Sequence, residues 1–240
     1  GRFMTYPNVQ KALDYIHAVL SGEIIANKYI KLACQKHLDE LKNSETNPDY
    51  PYFFDPAKAE KVAKFIQLLP HTKGKWASKG EKIALESWQI FACCLPFGWI
   101  KRATGFRRYT KILIFVCRKN GKSAIAAGSG NYMFCADGEF GAEVYSGKKK
   151  KKQAWEVFRP AKIMVERTKA LKDFYGIEVN ASNMARLADG SRFEPIIGKP
   201  GDGSSPSCAI IDEYHEHKNN DLYDTMETGM GAREQPIMLV

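Results

Sequence analysis

The feature that most restricts the fold of this chain is an apolar run followed at once by a basic loop and a helix-like segment. Residues 112–117 are apolar and rich in β-formers, and small and apolar residues recur at helical spacing after residue 121. Six residues form the loop and the helix start: Arg118, Lys119, Asn120, Gly121, Lys122 and Ser123. This order predicts a strand, a loop and a helix.

The residue types of this loop suit a nucleotide's phosphates. Backbone N–H groups at a helix N-terminus face an anion, Lys122 would reach the terminal phosphates, and the Ser123 hydroxyl would ligate Mg²⁺. Val116 stands where the usual phosphate-loop (Walker A) pattern has its first glycine. The alternative is a surface turn after a core strand, but the flanking strand and helix patterns favour the phosphate site.

Length and composition suit one large α/β domain, with or without an added helical region. The chain has 240 residues, of which 44% are hydrophobic and 26% charged, so disorder is excluded as its main state. The formal net charge of +9 favours polyanionic partners if the cations cluster, and otherwise only aids solubility.

Cysteine usage and hydropathy indicate a soluble intracellular protein. The six cysteines lie mostly in apolar settings without a paired CxxC pattern, so we expect reduced core thiols, no disulfide and no zinc. The start carries no signal-peptide pattern, and no apolar run is long enough to span a bilayer.

The first third of the chain predicts helices. Apolar residues repeat at helical steps from about Asn8 to Lys42 with a break near Gly22, and Asp55-Pro56 begins another helix through Leu69. We therefore expect a helical region over residues 1–80 that packs on a core formed by residues 81–240.

Trp88 and Gln89 are candidates for binding an adenine base. A glutamine amide offers the adenine edge both a donor and an acceptor, and a neighbouring aromatic ring can stack on the base. The alternative is an ordinary amphipathic helix with Trp88 in the core.

The segment 208–213 is the second candidate site, because an apolar strand here ends in two acids. Asp212 would hold Mg²⁺ and Glu213 would activate water. The following His215-Glu216-His217 also suggests a metal site, which ranks lower because further ligands are missing from the pattern.

Between the two candidate sites we predict a strand at 142–146, a helix at 153–168 and a hairpin turn at Gly190-Ser191. The run Lys148–Lys152 lies at the strand-to-helix turn. It would contact DNA phosphates or simply be solvated.

Together these motifs resemble the large terminase subunit of tailed bacteriophages. The resemblance rests on four stretches in this order: Trp88-Gln89, Arg118–Ser123, Val144–Ser146 with Gln153-Ala154, and Ile210–His215. It implies a P-loop ATPase with a central, mainly parallel sheet of the additional-strand, catalytic-glutamate type, with Walker A and Walker B motifs.

The resemblance also implies a role and partners. The expected function is ATP-driven translocation of double-stranded DNA into a procapsid by a homo-oligomeric ring, expected to be a pentamer, at the portal protein, together with the small terminase subunit. The expected location is the host cytoplasm, with transient docking on the procapsid and absence from the mature virion. Since the family's coupling motif and C-terminal nuclease domain have no counterpart here, residues 81–240 are expected to be a truncated ATPase core that does not cut DNA.

A motor of this kind is expected to use an arginine finger. Arg118 would act within its own subunit, whereas Arg192 and Arg233 are candidates that would be exposed to a neighbouring subunit. Some family members carry an Arg-Gly shortly before the acidic strand. At this place the present chain has Asp202-Gly203 instead.

The resulting mechanistic hypothesis places ATP between Gln89 and Lys122 and Mg²⁺ between Ser123 and Asp212, with Glu213 as general base. Two alternatives remain at this point. One is a superfamily-2-like helicase or remodelling ATPase, and the other is a non-catalytic nucleotide-binding scaffold of phage assembly.

Overall fold

A computed structural model of the chain describes residues 1–112, 121–148, 151–197, 206–211, 233, 235 and 237–239. The described residues form eight α-helices: α1 (Pro7–Ser21), α2 (Lys28–Thr46), α3 (Pro56–Ile66), α4 (Gly74–Ser78), α5 (Ser87–Cys93), α6 (Lys122–Cys135), α7 (Lys151–Glu166) and α8 (Lys169–Tyr175). A 3₁₀ helix covers Leu95–Gly98.

The same residues contain nine β-strands: β1 (Tyr52–Phe54), β2 (Trp99–Lys101), β3 (Lys111–Ile112), β4 (Glu143–Lys148), β5 (Ile177–Val179), β6 (Met184–Arg186), β7 (Ser191–Ile197), β8 (Cys208–Ile211) and β9 (Ile237–Leu239). Helix and strand starts agree with the sequence patterns at several places. The predicted 153–168 helix, 208–211 strand and hairpin turn at residue 190 are confirmed by α7, β8 and the β6–β7 pair.

The chain forms two compact units that interleave along the sequence. One unit combines residues 1–64 with 84–109, and the other combines residues 65–83 with 110–240. This division differs from the predicted boundary at residue 80, because residues 65–83 belong to the second unit and residues 84–109 to the first. The assignment of 1–80 and 81–240 as functional domains stays a prediction.

The first unit is built on α1, whose apolar face contacts α5 and α2. Val9, Ile16 and Val19 on this face are buried. The buried Glu60 carboxylate accepts hydrogen bonds from the backbone N–H of Asn8 at 2.8 Å and of Val9 at 3.0 Å. Because the first N–H groups of a helix have no partner within it, this carboxylate caps α1.

The second unit is built on a seven-stranded mixed sheet in the order β3-β9-β8-β4-β7-β6-β5. The four pairings from β3 to β7 are parallel, and those of β6 with β7 and of β5 with β6 are antiparallel. The fold is therefore α/β with a mixed sheet.

Helix α6 lies at the centre of the second unit. It contacts α7 and the strands β4, β7 and β8, and its residues from Ala127 to Cys135 are all buried. An apolar surface on all sides is expected of a helix enclosed by a sheet and other helices.

Five of the predicted core cysteines are confirmed as buried, namely Cys34, Cys93, Cys94, Cys135 and Cys208. Cys117 lies outside the described residues. Across the described part of the chain, no helix combines the length and apolar character needed to cross a bilayer.

Candidate nucleotide site

The parallel strands that precede the predicted site segments have their carboxyl ends at one edge of the sheet. The register aligns Ile112 of β3 with Leu239 of β9, and Leu239 with Ile210 of β8. Gly147 of β4 pairs with Ile211 of β8. Because all four strands are parallel, their carboxyl ends share this edge, which is where open α/β sheets bind ligands.

Three of the predicted segments come after these strand ends in the sequence. The Asp212-Glu213 pair directly follows β8, the lysine run 148–152 begins at the last residue of β4, and Arg118 comes six positions after the last residue of β3. Strand β9 lies between β3 and β8. The two site-bearing strands are thus two strand spacings apart, or roughly 10 Å.

Gly121 marks the start of helix α6. Its backbone is left-handed, with φ 75° and ψ 13°, and its carbonyl accepts from Ile125 N–H at 3.0 Å. The helix begins at Lys122, which confirms the predicted helix start. A left-handed conformation is costly for residues with a Cβ, so the glycine permits the abrupt entry into the helix.

The first turn of α6 carries Lys122 and Ser123, both half-buried, and has no acidic residue. The N-cap glycine supplies no side-chain oxygen to the helix N-terminus. A helix N-terminus with this composition favours an anion, because no acidic residue of its own first turn offsets its partial positive charge.

The other predicted site residues lie outside the described residues. These are Arg118, Lys119, Asn120, Asp212 and Glu213, together with the lower-ranked metal candidates His215, Glu216 and His217.

Trp88 and Gln89 lie in the first turn of α5, in the first unit, where both contact Glu86. The Gln89 amide oxygen accepts the Glu86 backbone N–H at 2.8 Å, and the Glu86 carboxylate accepts the Gln89 backbone N–H to complete a capping box. The Trp88 indole N–H donates to the same carboxylate. Gln89 is buried, not exposed as its adenine-binding role would suggest, and Trp88 is half-buried rather than in the core. Glu86 was missed by sequence reasoning because glutamate is not among the preferred N-cap residues.

The two arginines proposed as fingers toward a neighbouring subunit both bind Glu143. Arg192 Nη2 lies 2.5 Å from Glu143 Oε1, and Arg233 Nη2 lies 2.9 Å from Glu143 Oε2. The Tyr145 hydroxyl donates to Glu143 Oε1 at 2.7 Å. The prediction that Arg233 is exposed is wrong, since its side chain is only 14% exposed.

Burial acts to raise the pKa of Glu143, but hydrogen bonds from Tyr145 and from the two arginines outweigh it, so this pKa lies below the usual value. Burial and the adjacent Glu143 carboxylate raise the pKa of Tyr145. The cluster is therefore an ionised carboxylate neutralised by two guanidinium groups.

This cluster lies away from the edge that carries the candidate site. Glu143 is the first residue of β4 and pairs with Arg192 near the start of β7, so both lie at the amino-terminal edge of the parallel strands. The cluster and the carboxyl end of β8 therefore lie at opposite ends of the parallel strands. No local sequence signal links Glu143 to residues 49 and 90 positions away.

The fold and the strand-end arrangement define an α/β protein with a candidate ligand site at the carboxyl edge of its sheet. Residues 87–240 match the family model of the terminase large subunit, ATPase domain. This match covers more than half of the chain, which therefore belongs to that family.

Individual proteins are similar to parts of this chain. Protein YmfN of Escherichia coli (strain K12) is 68% identical over 63 residues, covering 26% of this chain and 14% of that protein. The large subunit of terminase from Enterobacteria phage HK97 is 27% identical over 133 residues, covering 53% of this chain and 26% of that protein. The crystal structure of the HK97 bacteriophage large terminase superposes with a TM-score of 0.62 at 24% identity, covering 76% of this chain and 37% of that one.

The similarity to the solved structure shows a shared fold. This chain spans about a quarter or less of the length of the two curated relatives, 26% and 14%.

Proposed function

We propose that this chain is the ATP-hydrolysing motor domain of a viral terminase large subunit, which drives double-stranded DNA into a procapsid. The observation that carries the proposal is the shared strand edge. There, β3 leads toward Lys122 and Ser123, and β8 leads directly into Asp212 and Glu213. A phosphate-binding helix start and an acidic strand end at one sheet edge supply the parts that ATP hydrolysis needs.

The described residues fit a magnesium nucleotide. Helix α6 has 14 residues, its N-cap is a left-handed glycine, and its first turn contains a lysine and a hydroxyl but no acid. Phosphate oxygens would accept from backbone N–H groups of this turn and from Lys122. Ser123 and Asp212 are hard oxygen ligands, which Mg²⁺ prefers, and the ion would offset the charge of the phosphates.

The remaining roles follow from side-chain chemistry. Glu213 would take a proton from the attacking water as general base. Arg118 would stabilise charge on the transferred phosphoryl group from within the same chain. Trp88 and Gln89 remain candidates for the adenine, although Gln89 already accepts a hydrogen bond from Glu86.

Translocation requires partners beyond this chain. The proposed assembly is a homo-oligomeric ring, a pentamer, on the portal protein, with the small terminase subunit delivering DNA. It would act in the host cytoplasm and leave the capsid before the virion is complete. Contact with DNA would be to phosphates, so we expect strong salt dependence and little sequence preference.

The deciding experiment measures ATP turnover by the 240-residue chain with and without double-stranded DNA. Equilibrium ATP binding is measured in parallel. Lys122→Ala should weaken ATP binding, and Glu213→Ala should keep binding but lower turnover by at least about 100-fold. Thermal unfolding of each variant would check that the fold is intact.

The outcomes separate the proposal from its alternatives. DNA-stimulated turnover that both substitutions abolish supports the motor. Strand separation of duplex DNA would instead favour a helicase, and ATP binding that promotes assembly without turnover would favour a scaffold. Failure to bind ATP would refute the site altogether.

A further inference from the structure

A groove of about 650 Å³ lies in the second unit between helix α7 and the segment that precedes α4. Seven residues line it: Thr72, Lys73, Trp155, Glu156, Arg159, Pro160 and Ile163. None of them takes part in the proposed nucleotide site.

The lining separates into an apolar inner part and a charged outer part. Pro160 is buried, Trp155 and Ile163 are half-buried, and Lys73, Glu156 and Arg159 are exposed. The opposite face of α7, including Phe158 and Met164, is fully buried in the core. The groove therefore uses the outer face of a helix whose inner face is already packed.

Trp155 is the residue that most clearly indicates an occupant. Its ring packs edge-on against Phe158 at 5.2 Å between centroids, and the Arg159 guanidinium carbon lies 5.7 Å from its centroid. Its indole N–H is buried and has no acceptor among the described residues. Because buried donors are normally paired, this N–H would gain from a carbonyl or carboxylate in the groove.

The charge around the groove is mainly positive. Besides Lys73 and Arg159, the adjoining segment 74–82 exposes Lys75, Lys79 and Lys82 against a single acid, Glu81. An occupant that complements this surface carries negative charge.

Duplex DNA is the less suitable polyanion. Its phosphates would meet the exposed Glu156 carboxylate in the groove lining, and they would gain nothing from Trp155 and Ile163. A polypeptide can satisfy both parts of the lining, because apolar side chains enter the groove while acidic ones remain at its margin.

We propose that this groove is a docking site for an acidic amphipathic segment of a partner protein. The segment would bind as a helix, placing apolar residues at i, i+3 or i+4, and i+7 against Trp155, Pro160 and Ile163. Its acidic residues would pair with Lys73 and Arg159. Since α7 begins at the sheet edge that carries the candidate nucleotide site, the partner would bind on an element adjoining that site.

The test is selection of a phage-displayed library of random 16-residue peptides on the 240-residue chain. Enriched peptides should combine acidic residues with apolar residues at helical spacing. For one synthesised peptide, the Trp155 indole N–H resonance, assigned with Trp155→Phe, should shift on binding. Lys73→Glu with Arg159→Glu should weaken that binding by about tenfold or more.

Two controls make the test specific. Lys162→Glu reverses one charge on α7 outside the groove and should leave the affinity unchanged. A peptide with its acidic residues replaced by lysine should bind the Lys73→Glu, Arg159→Glu variant better than the original chain, a reversal that loss of folding cannot produce.

Several outcomes overturn the proposal. These are no enrichment, enriched peptides without the acidic amphipathic pattern, and equal binding to the charge-reversed variant. A 20-base-pair duplex that shifts the Trp155 resonance, and no longer does so in that variant, would assign the groove to DNA instead.

Discussion

Gly130 of α6 lies directly against the ring of Phe193 in β7. A Cβ at position 130 would lie 2.8 Å from two atoms of that ring and 2.8 Å from Ile210 Cδ1. Phe193 is fully buried and contacts the rings of Phe134 and Phe158, at 6.3 and 5.6 Å between centroids. The ring is enclosed by these contacts, so the lack of a side chain at position 130 is what allows α6 to approach the sheet this closely.

Gly130→Ala should therefore destabilise the protein, by about 1–3 kcal/mol, even though alanine is the better helix former. The measurement is the free energy of unfolding in urea. Gly128→Ala on the same helix is the matched control. A Cβ there would lie 3.1 Å from Ile66 Cγ2. The gain of about 1 kcal/mol in helix propensity would largely offset the cost of this close contact. Equal effects of the two substitutions would refute the Phe193 contact as the cause.

His37 should make stability depend on pH in the mildly acidic range. Its Nδ1 accepts the Trp99 indole N–H at 3.3 Å, and burial, aided by the charge of Arg2, lowers its pKa to about 4. Below about pH 6.5 the unfolded chain binds a proton that the folded chain excludes. Stability is therefore lost as pH falls from about 6.5 toward 4, by up to about 1.4 kcal/mol per pH unit.

His37→Gln tests this directly, because an amide oxygen can accept the same N–H but does not titrate. The difference in unfolding free energy between the original chain and the variant should change across this pH interval and be constant above it. A constant difference down to pH 4.5 would contradict the buried neutral imidazole.

Glu143 should also make stability depend on pH, but here the folded state favours the charged form of the side chain. Its lowered pKa means that the folded state favours the carboxylate, so its contribution is present above the ordinary pKa of about 4.3 and is lost as pH falls through the lower folded value. Glu143→Gln removes the charge that Arg192 and Arg233 share, and should cost about 1–3 kcal/mol near pH 7. The unfolding free energies of both proteins, compared from pH 7 to 3, should converge at the acidic end.

Glu194→Gln is the control for this cluster. Glu194 is 30% exposed and lies 3.9 Å from Arg192 Nε, so its loss should cost less than about 1 kcal/mol. If it costs as much as Glu143→Gln, the two arginines are not held mainly by Glu143.

What the sequence predicted correctly depended on local patterns. The helix start at Lys122 follows from an apolar run, a glycine and small residues within a few positions, and the strand at 208–211 follows from a short apolar run bounded by punctuating residues. These signals need no knowledge of distant residues.

The parts that sequence reasoning missed depend on contacts between distant segments. The Glu143 cluster requires the parallel pairing of β4 with β7 and a residue just before β9. The groove requires segment 72–73 to lie against α7, more than 80 positions later. Gln89 was assigned to the adenine from its amide and its aromatic neighbour Trp88, whereas in the structure that amide caps its own helix. Periodicity carries no record of strand order, so neither the Glu143 cluster nor the groove could be deduced.

Substitutions at Gly121 test the fold and the proposed function together. Its left-handed backbone, with φ 75°, turns the chain into α6 just before Lys122. Gly121→Ala should cost about 1–2 kcal/mol of stability, because a Cβ is strained in this conformation. Gly121→Asn should cost less, since asparagine is the residue other than glycine that best tolerates it.

If the helix N-terminus holds the phosphates, ATP affinity should be highest with Gly121, lower in Gly121→Asn and lowest in Gly121→Ala. Calorimetric ATP binding beside thermal unfolding separates the two effects. Loss of affinity with unchanged unfolding would mean that the glycine serves the ligand and that its backbone strain is minor. Loss of stability with unchanged affinity would mean that the turn shapes the fold and that the phosphates bind elsewhere. Parallel loss of both is the result we expect, because on the proposed function the same backbone conformation would begin α6 and aim its first N–H groups at the phosphates.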